Sequence, residues 1–245
     1  MTSPGNYRIT ADLHTHTVFS HGLHTPEDNI KAALSRGLSA IAITDHSVGH
    51  ISYGVRDLSG YFAEIARLKE AYADRIRVLA GLELNITSLQ GHMDLPKEAE
   101  AHLDLCIMGF HKFTNARRLP DWWHFYLARK KTDEQTVRKT TDAYIKAISS
   151  GKLTILAHPS YAIAIDVAEV ACACREYGTL FEINNSHPQL SEEMLETAAK
   201  TGTRFVLSSD AHQADKVGVM DSALAKALNV GLGEREIVNL SKNDR

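Results

Sequence analysis

The stretch "LSAIAITDH", residues 38–46, decides the fold. From Leu38 to Thr44 it is a nearly continuous apolar run, the pattern of a strand buried on both faces in a helix-covered parallel sheet. It then ends abruptly in two titratable residues, Asp45 and His46. Upstream, "TPEDNIKAALSRG" (residues 25–37) reads as a helix, with Thr25 as N-cap, Pro26 at the first helical position and Gly37 as the stop. Downstream, "GYFAEIARLKEAYADR" (residues 60–75) has helical periodicity and leads into the strand "IRVLAGLEL" (residues 76–84).

The same alternation runs through the chain. "YRITADLH" (residues 7–14) reads as the first strand. A polar piece with a short helix near residues 96–101 precedes "LDLCIMGFH" (residues 103–111). A helix over residues 132–150, closed by Gly151, precedes "KLTILAHP". "DVAEVACACREYG" precedes "TLFEINNS", "SEEMLETAAKTG" precedes "TRFVLSSDAH", and a last helix covers residues 215–229. Seven strands separated mostly by helices imply parallel pairing with right-handed crossovers, in an open doubly wound sheet or a closed barrel. No Gly-rich phosphate loop follows any strand, which removes one sign of the open sheet.

The strand ends carry the chemistry. They present His14 and His16, then Asp45 and His46, Glu83, His111, His158, the group Glu182, Asn184, Asn185 and His187, and finally Asp210 and His212. In parallel β/α architectures these ends share one face. A closed barrel makes seven ends converge, whereas an open sheet leaves the outer ones apart, so the expectation is a (β/α)7 barrel formed by one domain over residues 1–245. His14 and His16 are two apart, so on an extended strand they project to one side, and Asp210 and His212 repeat that step. A lone buried histidine is more often a satisfied core residue than a ligand. So many imidazoles and carboxylates at one face would be costly without a compensating cation, and their mixture suits zinc, manganese or iron. His50, His92, His102 and His124 fall in loops or on helices and read as mostly solvated.

Composition sets the bounds. The chain has 245 residues, 44% hydrophobic and 23% charged, with a formal net charge of −3. That charge offers no general attraction to nucleic acid or anionic membrane. No apolar run approaches the roughly 20 residues of a membrane span, and "MTSPGNYRIT" has neither the basic nor the apolar region of a secretory signal. Three cysteines, with Cys172 and Cys174 two apart on a predicted helix, make a poor clip and fit a reducing, cytoplasmic setting.

In order along the chain, "DLHTHTVFS", "AITDH", "GLELNI", "MGFH", "AHPS", "EINNS" and "SSDAH" resemble the motifs of the polymerase-and-histidinol-phosphatase (PHP) superfamily, and its stand-alone phosphatase-like members in particular. The resemblance implies a distorted, TIM-like seven-stranded barrel holding three divalent ions. It implies that His14, His16, Glu83 and Asp210 hold one ion, that Glu83 bridges to a second held by His111 and His158, and that His21, His46 and His212 hold the third. The turn "TVFSHGLHT" aligns with either His21 or His24 in that last role, and His21 takes the acidic position of the family's Asp-Gly. The reaction so implied is in-line attack by metal-bound hydroxide on a small-molecule phosphate monoester, with Glu83 and Asp45 as catalytic residues and no covalent enzyme intermediate. Asp45 and Asp12, each beside a ligand histidine, are placed to orient a ligand or shuttle a proton, or else to serve structurally.

Three rivals remain. Phosphodiesterase or exonuclease chemistry is reduced by the lack of an overall basic stripe, so nucleic acid is not expected as a partner beyond short or cyclic nucleotides. An amidohydrolase begins with the same H-x-H but generally has eight strands and often a carboxylated lysine on the fourth. A metal-binding regulatory domain without turnover would keep the ligands and lose the activity. For substrate contacts the sequence offers His187 and the stretch "HKFTNARRLPDWWHFYLARKK" (residues 111–131), read as a rim or lid with a short helix from about Asp121. Lys112, Arg117 and Arg118 are its candidate anion donors.

Overall fold

The computed structural model describes residues 4–112, 114–129 and 132–243. In chain order the elements are β1 (Tyr7–Ile9), β2 (Ala11–Asp12), α1 (Pro26–Ser35), β3 (Ala40–Ile43), α2 (Leu58–Ala71) and β4 (Arg77–Asn85). Then come β5 (Leu105–Gly109), α3 (Leu119–Ala128), α4 (Glu134–Ile148), β6 (Ile155–Leu156) and α5 (Val167–Tyr177). The last are β7 (Leu180–Asn184), α6 (Glu192–Lys200), β8 (Phe205–Ser208), α7 (Asp221–Asn229) and β9 (Leu240–Lys242). The strands β2 to β8 pair in sequence order, every neighbour parallel. Local chemistry sets the helix starts. At α1, Thr25 Oγ1 accepts from the Asp28 N–H (3.2 Å) while the Thr25 N–H donates to Asp28 Oδ2 (3.1 Å), a reciprocal capping box.

The sheet is nearly closed on itself. Between β2 and β8 the regular ladder is missing, and buried backbone groups there need other partners. Thr15 and Ala211 form a parallel bridge, and the His16 N–H donates to the Ala211 carbonyl (2.8 Å). The Asn239 amide is inserted alongside. Its Nδ2 donates to the carbonyls of Ala11 (2.8 Å) and Leu207 (2.7 Å), and its Oδ1 accepts from the Leu207 N–H (3.0 Å). Buried Asp12 adds a third stitch, accepting from Ser209 Oγ (2.5 Å) and from the Gly218 N–H (2.8 Å). The result is the expected distorted barrel of seven parallel strands with helices outside.

Two segments differ from expectation. The run "YRITADLH" is not one strand: it breaks at Thr10, and β1 pairs antiparallel with β9, a strand absent from the sequence reading. The last predicted helix is divided into a 3₁₀ turn, Ala214–Lys216, and α7. Gly218 lies between them with φ +75°, a left-handed conformation that glycine adopts without strain.

The core has two parts. Ala42, Leu105, Ile107, Ile155 and Val206, with Leu13, Leu79, Leu180 and Val238 against them, form a small cluster. Two-residue alternation puts these side chains inside the barrel, as an apolar plug toward its lower end. The larger cluster, including Ile41, Ile43, Leu82, Leu84, Phe181 and Phe205, packs the outer faces of the strands against the helices. Among the described residues no helix is long and apolar enough to cross a membrane.

Candidate metal centre

The alternation that builds the plug also delivers the part of the site that follows β3, β4, β5, β7 and β8, whereas His14, His16 and His158 lie an odd number of residues from the plug residues Leu13 and Ile155. Counting upward by two from plug residues, Ala42 leads to Thr44 and His46, Leu79 to Gly81 and Glu83, and Leu105 to Ile107, Gly109 and His111. Leu180 leads likewise to Glu182 and Asn184, and Val206 to Ser208 and Asp210. Apolar side chains thus fill the bottom of the barrel and titratable ones its top. Gly109 is glycine for a steric reason, since a Cβ there would collide with the His158 ring. His158 (φ 27°) and Asp210 (φ 53°) both hold left-handed backbone conformations that side chains other than glycine rarely adopt, a strain that clusters at functional sites.

Glu83 is the hub. It is buried, and its two oxygens lie 3.4 Å from His14 Nε2, 3.5 Å from His16 Nε2, 2.8 Å from His46 Nδ1, 3.2 Å from His111 Nε2 and 2.8 Å from His158 Nε2. Asp210 is second, with His16 Nε2 at 3.2 Å from Oδ1 and His187 Nε2 at 3.2 Å from Oδ2. Four overlapping groups bring their ligand atoms within 4.8 Å of one another: His16–His21–His46–His212, His14–His16–Asp210, His46–Glu83–His111 and His158–His187–Asp210.

These contacts fit cations better than they fit one another. His46 Nδ1 and Glu83 Oε2 approach to 2.8 Å, yet neither atom has a hydrogen-bond partner among the described residues. Imidazole nitrogens also face each other, His14 Nε2 with His16 Nε2 at 3.2 Å and His21 Nε2 with His212 Nε2 at 2.6 Å. Two nitrogens on one tetrahedral zinc, each at about 2.0–2.1 Å, would be roughly 3.4 Å apart. Second contacts orient the rings. His14 Nδ1 is hydrogen-bonded to Glu182 Oε1 (2.8 Å) and His111 Nδ1 to Asn85 Oδ1 (2.8 Å).

Electrostatics agree at Glu83, Asp210, His16 and His21. Burial disfavours ionisation of Glu83 and Asp210, but the surrounding imidazoles outweigh it and hold both carboxyls well below the usual range. Burial lowers His16 to about 3, and burial with neighbouring His46 and His212 lowers His21 to about 3. Both therefore offer neutral rings with free lone pairs, the form that binds metal. His14 goes the other way: burial lowers it, and Asp210, Glu182 and Glu83 together raise it well above the ordinary value.

The cluster forms one side of a cavity of about 280 Å³, whose lining includes His50, Tyr53, Lys112, Tyr161 and His187. Of the residues expected from sequence, His14, His16, His21, His46, Glu83, His111, His158, Asp210 and His212 all come together here, and His187 joins them beside Asp210. His24 does not, because its Nδ1 accepts the Ala214 N–H (3.2 Å) outside the cluster. Asp45 is buried below His46, accepting from the Thr17 N–H (2.7 Å), Thr17 Oγ1 (2.7 Å) and Ser20 Oγ (2.5 Å), so it braces the loop that carries His21. Lys112 lines the cavity, whereas Arg117 and Arg118 are exposed and do not. Arg118 instead holds Gln90 Oε1 (2.6 Å) and Asp121 Oδ2 (3.3 Å).

A family model for the PHP domain matches residues 12–202. The chain belongs to the PHP domain family. Two relatives of this PHP chain are probable phosphatases. The one from Thermoanaerobacter sp. (strain X514) is 31% identical over 242 residues, covering 95% of this chain and 91% of that protein. The one from Shewanella sp. (strain MR-4) is 31% identical over 241 residues, covering 94% and 87%. Among solved structures, the histidinol phosphate phosphatase of Lactococcus lactis subsp. lactis Il1403, complexed with zinc, L-histidinol and phosphate, superimposes with a TM-score of 0.62 at 19% identity, over 91% of this chain and 94% of that one. A chain of archaeal ribonuclease P with mature tRNA superimposes at 0.51 with 11% identity, over 89% and 87%. Such different companions show that the barrel is shared and that the fold alone does not assign the reaction.

Two parts of the PHP site exceed the sequence reading. Glu182 supports two candidate ligands at once, through His14 and through the His158 N–H (2.5 Å). Its strand-end position was visible in "EINNS", but nothing local said which ring it would meet. His50, expected to be solvated, is buried with its Nδ1 accepting the Tyr53 N–H (3.1 Å).

Proposed function

We propose that this PHP-domain protein is a metal-dependent phosphoesterase that hydrolyses a small-molecule phosphate monoester, using three divalent ions that are zinc, manganese or iron. One observation carries the reading: a single buried carboxylate, Glu83, lies within 2.8–3.5 Å of five imidazole nitrogens from four strand ends. One ion would be held by His14, His16, Asp210 and Glu83, a second by Glu83, His111 and His158, and a third by His21, His46 and His212. Divalent ions there would supply a water of lowered pKa and neutralise the non-bridging phosphoryl oxygens.

The chain's own groups do the rest. Glu83, shared between clusters, sets their spacing, and Asp45 fixes the loop that brings His21 to His212. Lys112, exposed on the cavity wall, offers an ammonium to a phosphate dianion, and His187 and Tyr161, ring centroids 4.1 Å apart, also line the cavity. The cavity of about 280 Å³ lies just below the usual range of small-molecule clefts, roughly 300–1,000 Å³, which favours a small metabolite over a polymer. The unpaired state of Cys106, Cys172 and Cys174 supports a reducing, cytoplasmic setting.

The test compares p-nitrophenyl phosphate with bis-p-nitrophenyl phosphate, using protein stripped by a chelator and reloaded with zinc or manganese. The expected result is metal-dependent turnover with monoester preferred. Preference for the diester would move the reading to phosphodiester chemistry, and metal binding without turnover on either would leave a regulatory metal domain.

A further inference from the structure

Next to the metal cavity is a second, apolar pocket of about 180 Å³, and the two share His111 and Lys112 in their walls. Phe110 and Phe125 are both buried and form part of its lining, ring centroids 5.7 Å apart. Helix α3 contributes Trp122 and Tyr126, whose rings are stacked 5.2 Å apart at 9°. Trp122 is 43% exposed, and Trp123, Tyr126 and Leu127 on the same helix are exposed as well, so α3 presents an apolar patch rather than a single residue. The pocket's formal charges are of one sign: Lys112 and Arg129 line it, and among the described lining residues there is no carboxylate. The Arg129 Nε is buried without a hydrogen-bond partner among the described residues, its guanidinium lying 6.0 Å from the Tyr126 ring centroid. A buried donor left unpaired is costly and calls for an acceptor.

Aromatic walls select a flat apolar group. Two cations with no acid select against an ammonium and for an anion. Both cavities touch His111 and Lys112, so an ester whose phosphate sits among the histidines would have to pass these two residues to reach this pocket. We propose that the pocket holds the leaving group, and that the substrate class is the phosphate ester of an aromatic alcohol carrying a carboxylate. The inference rests on the phosphoesterase reading. In the reaction, water oxygen bonds to phosphorus as the P–O bond to the alcohol breaks. The alcohol leaves with a proton that came from the water, and no redox step occurs.

The test uses three esters, 4-carboxybenzyl phosphate, 4-(aminomethyl)benzyl phosphate and ethyl phosphate, on the metal-loaded protein. The carboxybenzyl ester should have the highest kcat/KM. Trp122→Ala should lower kcat/KM for it about tenfold more than for ethyl phosphate. Arg129→Gln should shrink the preference for carboxylate over ammonium by about tenfold. A second readout needs no turnover. The chain's two tryptophans are Trp122 and Trp123, so 4-carboxybenzyl alcohol should quench tryptophan emission saturably, and more weakly in Arg129→Gln. Equal kcat/KM for the two benzyl esters, with no quenching by the alcohol, overturns the proposal. If no ester is hydrolysed the phosphoesterase reading fails, and the emission titration alone then keeps or removes the pocket.

Discussion

Replacing Glu83 by Gln keeps the shape of the hub and removes its charge. The carboxylate oxygens lie 2.8–3.5 Å from five imidazole nitrogens, so any ion that those rings hold is also within reach of this carboxylate. At about 3 Å and an effective dielectric near 20, one unit-charge pair is worth about 5 kcal/mol before desolvation is subtracted. Removing one member of a buried, paired set costs about 3–5 kcal/mol in practice. At about 1.4 kcal/mol per tenfold, metal affinity should fall by about two to three and a half orders of magnitude. Turnover should fall at least as far, because two of the three proposed ions use this residue. The assay is competition for zinc against a chromophoric chelator, paired with p-nitrophenyl phosphate hydrolysis and a thermal melt to confirm folding. A folded Glu83→Gln protein with parental metal affinity and turnover would refute the reasoning.

Other outcomes follow from the same geometry. Asn239→Ala leaves the Leu207 N–H and the carbonyls of Ala11 and Leu207 without these partners at the barrel seam, and should cost about 2–4 kcal/mol in urea denaturation; an unchanged midpoint would show that the seam does not depend on it. The pair Arg117→Ala with Arg118→Ala should change KM for a phosphate monoester by less than about twofold, since neither residue lines the cavity, while Lys112→Ala should raise it several-fold. Burial pushes the Cys106 thiol up to about 11 and Cys174 further up, so both stay protonated and covered at pH 8, whereas Cys172 is exposed. Native alkylation followed by mass spectrometry should therefore modify Cys172 alone; rapid labelling of all three would contradict the packing.

The strand ends were legible because two independent patterns coincide there. Apolar runs such as "LSAIAITDH" mark doubly buried strands, and two-residue spacing puts His14 with His16 and Asp210 with His212. What was not legible depends on contacts distant in sequence. Asn239 closes the seam from a C-terminal segment with no local signature, and β9 forms only because β1 is there to pair with it. Arg117 and Arg118 follow a ligand strand and looked like anion donors, yet Arg118 is drawn away by Gln90 and Asp121. His50 lies in a loop and reads as solvated, but that loop buries it in the cavity wall with its ring tilted against His46, ring centroids 5.1 Å apart. The choice between His21 and His24 was open in sequence, and the Ala214 backbone accounts for His24.

The central claim, a phosphoesterase built on several ions, is tested most directly by titrating metal-stripped protein with manganese or zinc while following p-nitrophenyl phosphate hydrolysis. The account predicts little turnover at one equivalent, a steep rise beyond it and saturation near three equivalents per chain. Saturation at one equivalent, or no hydrolysis at any loading, would contradict it.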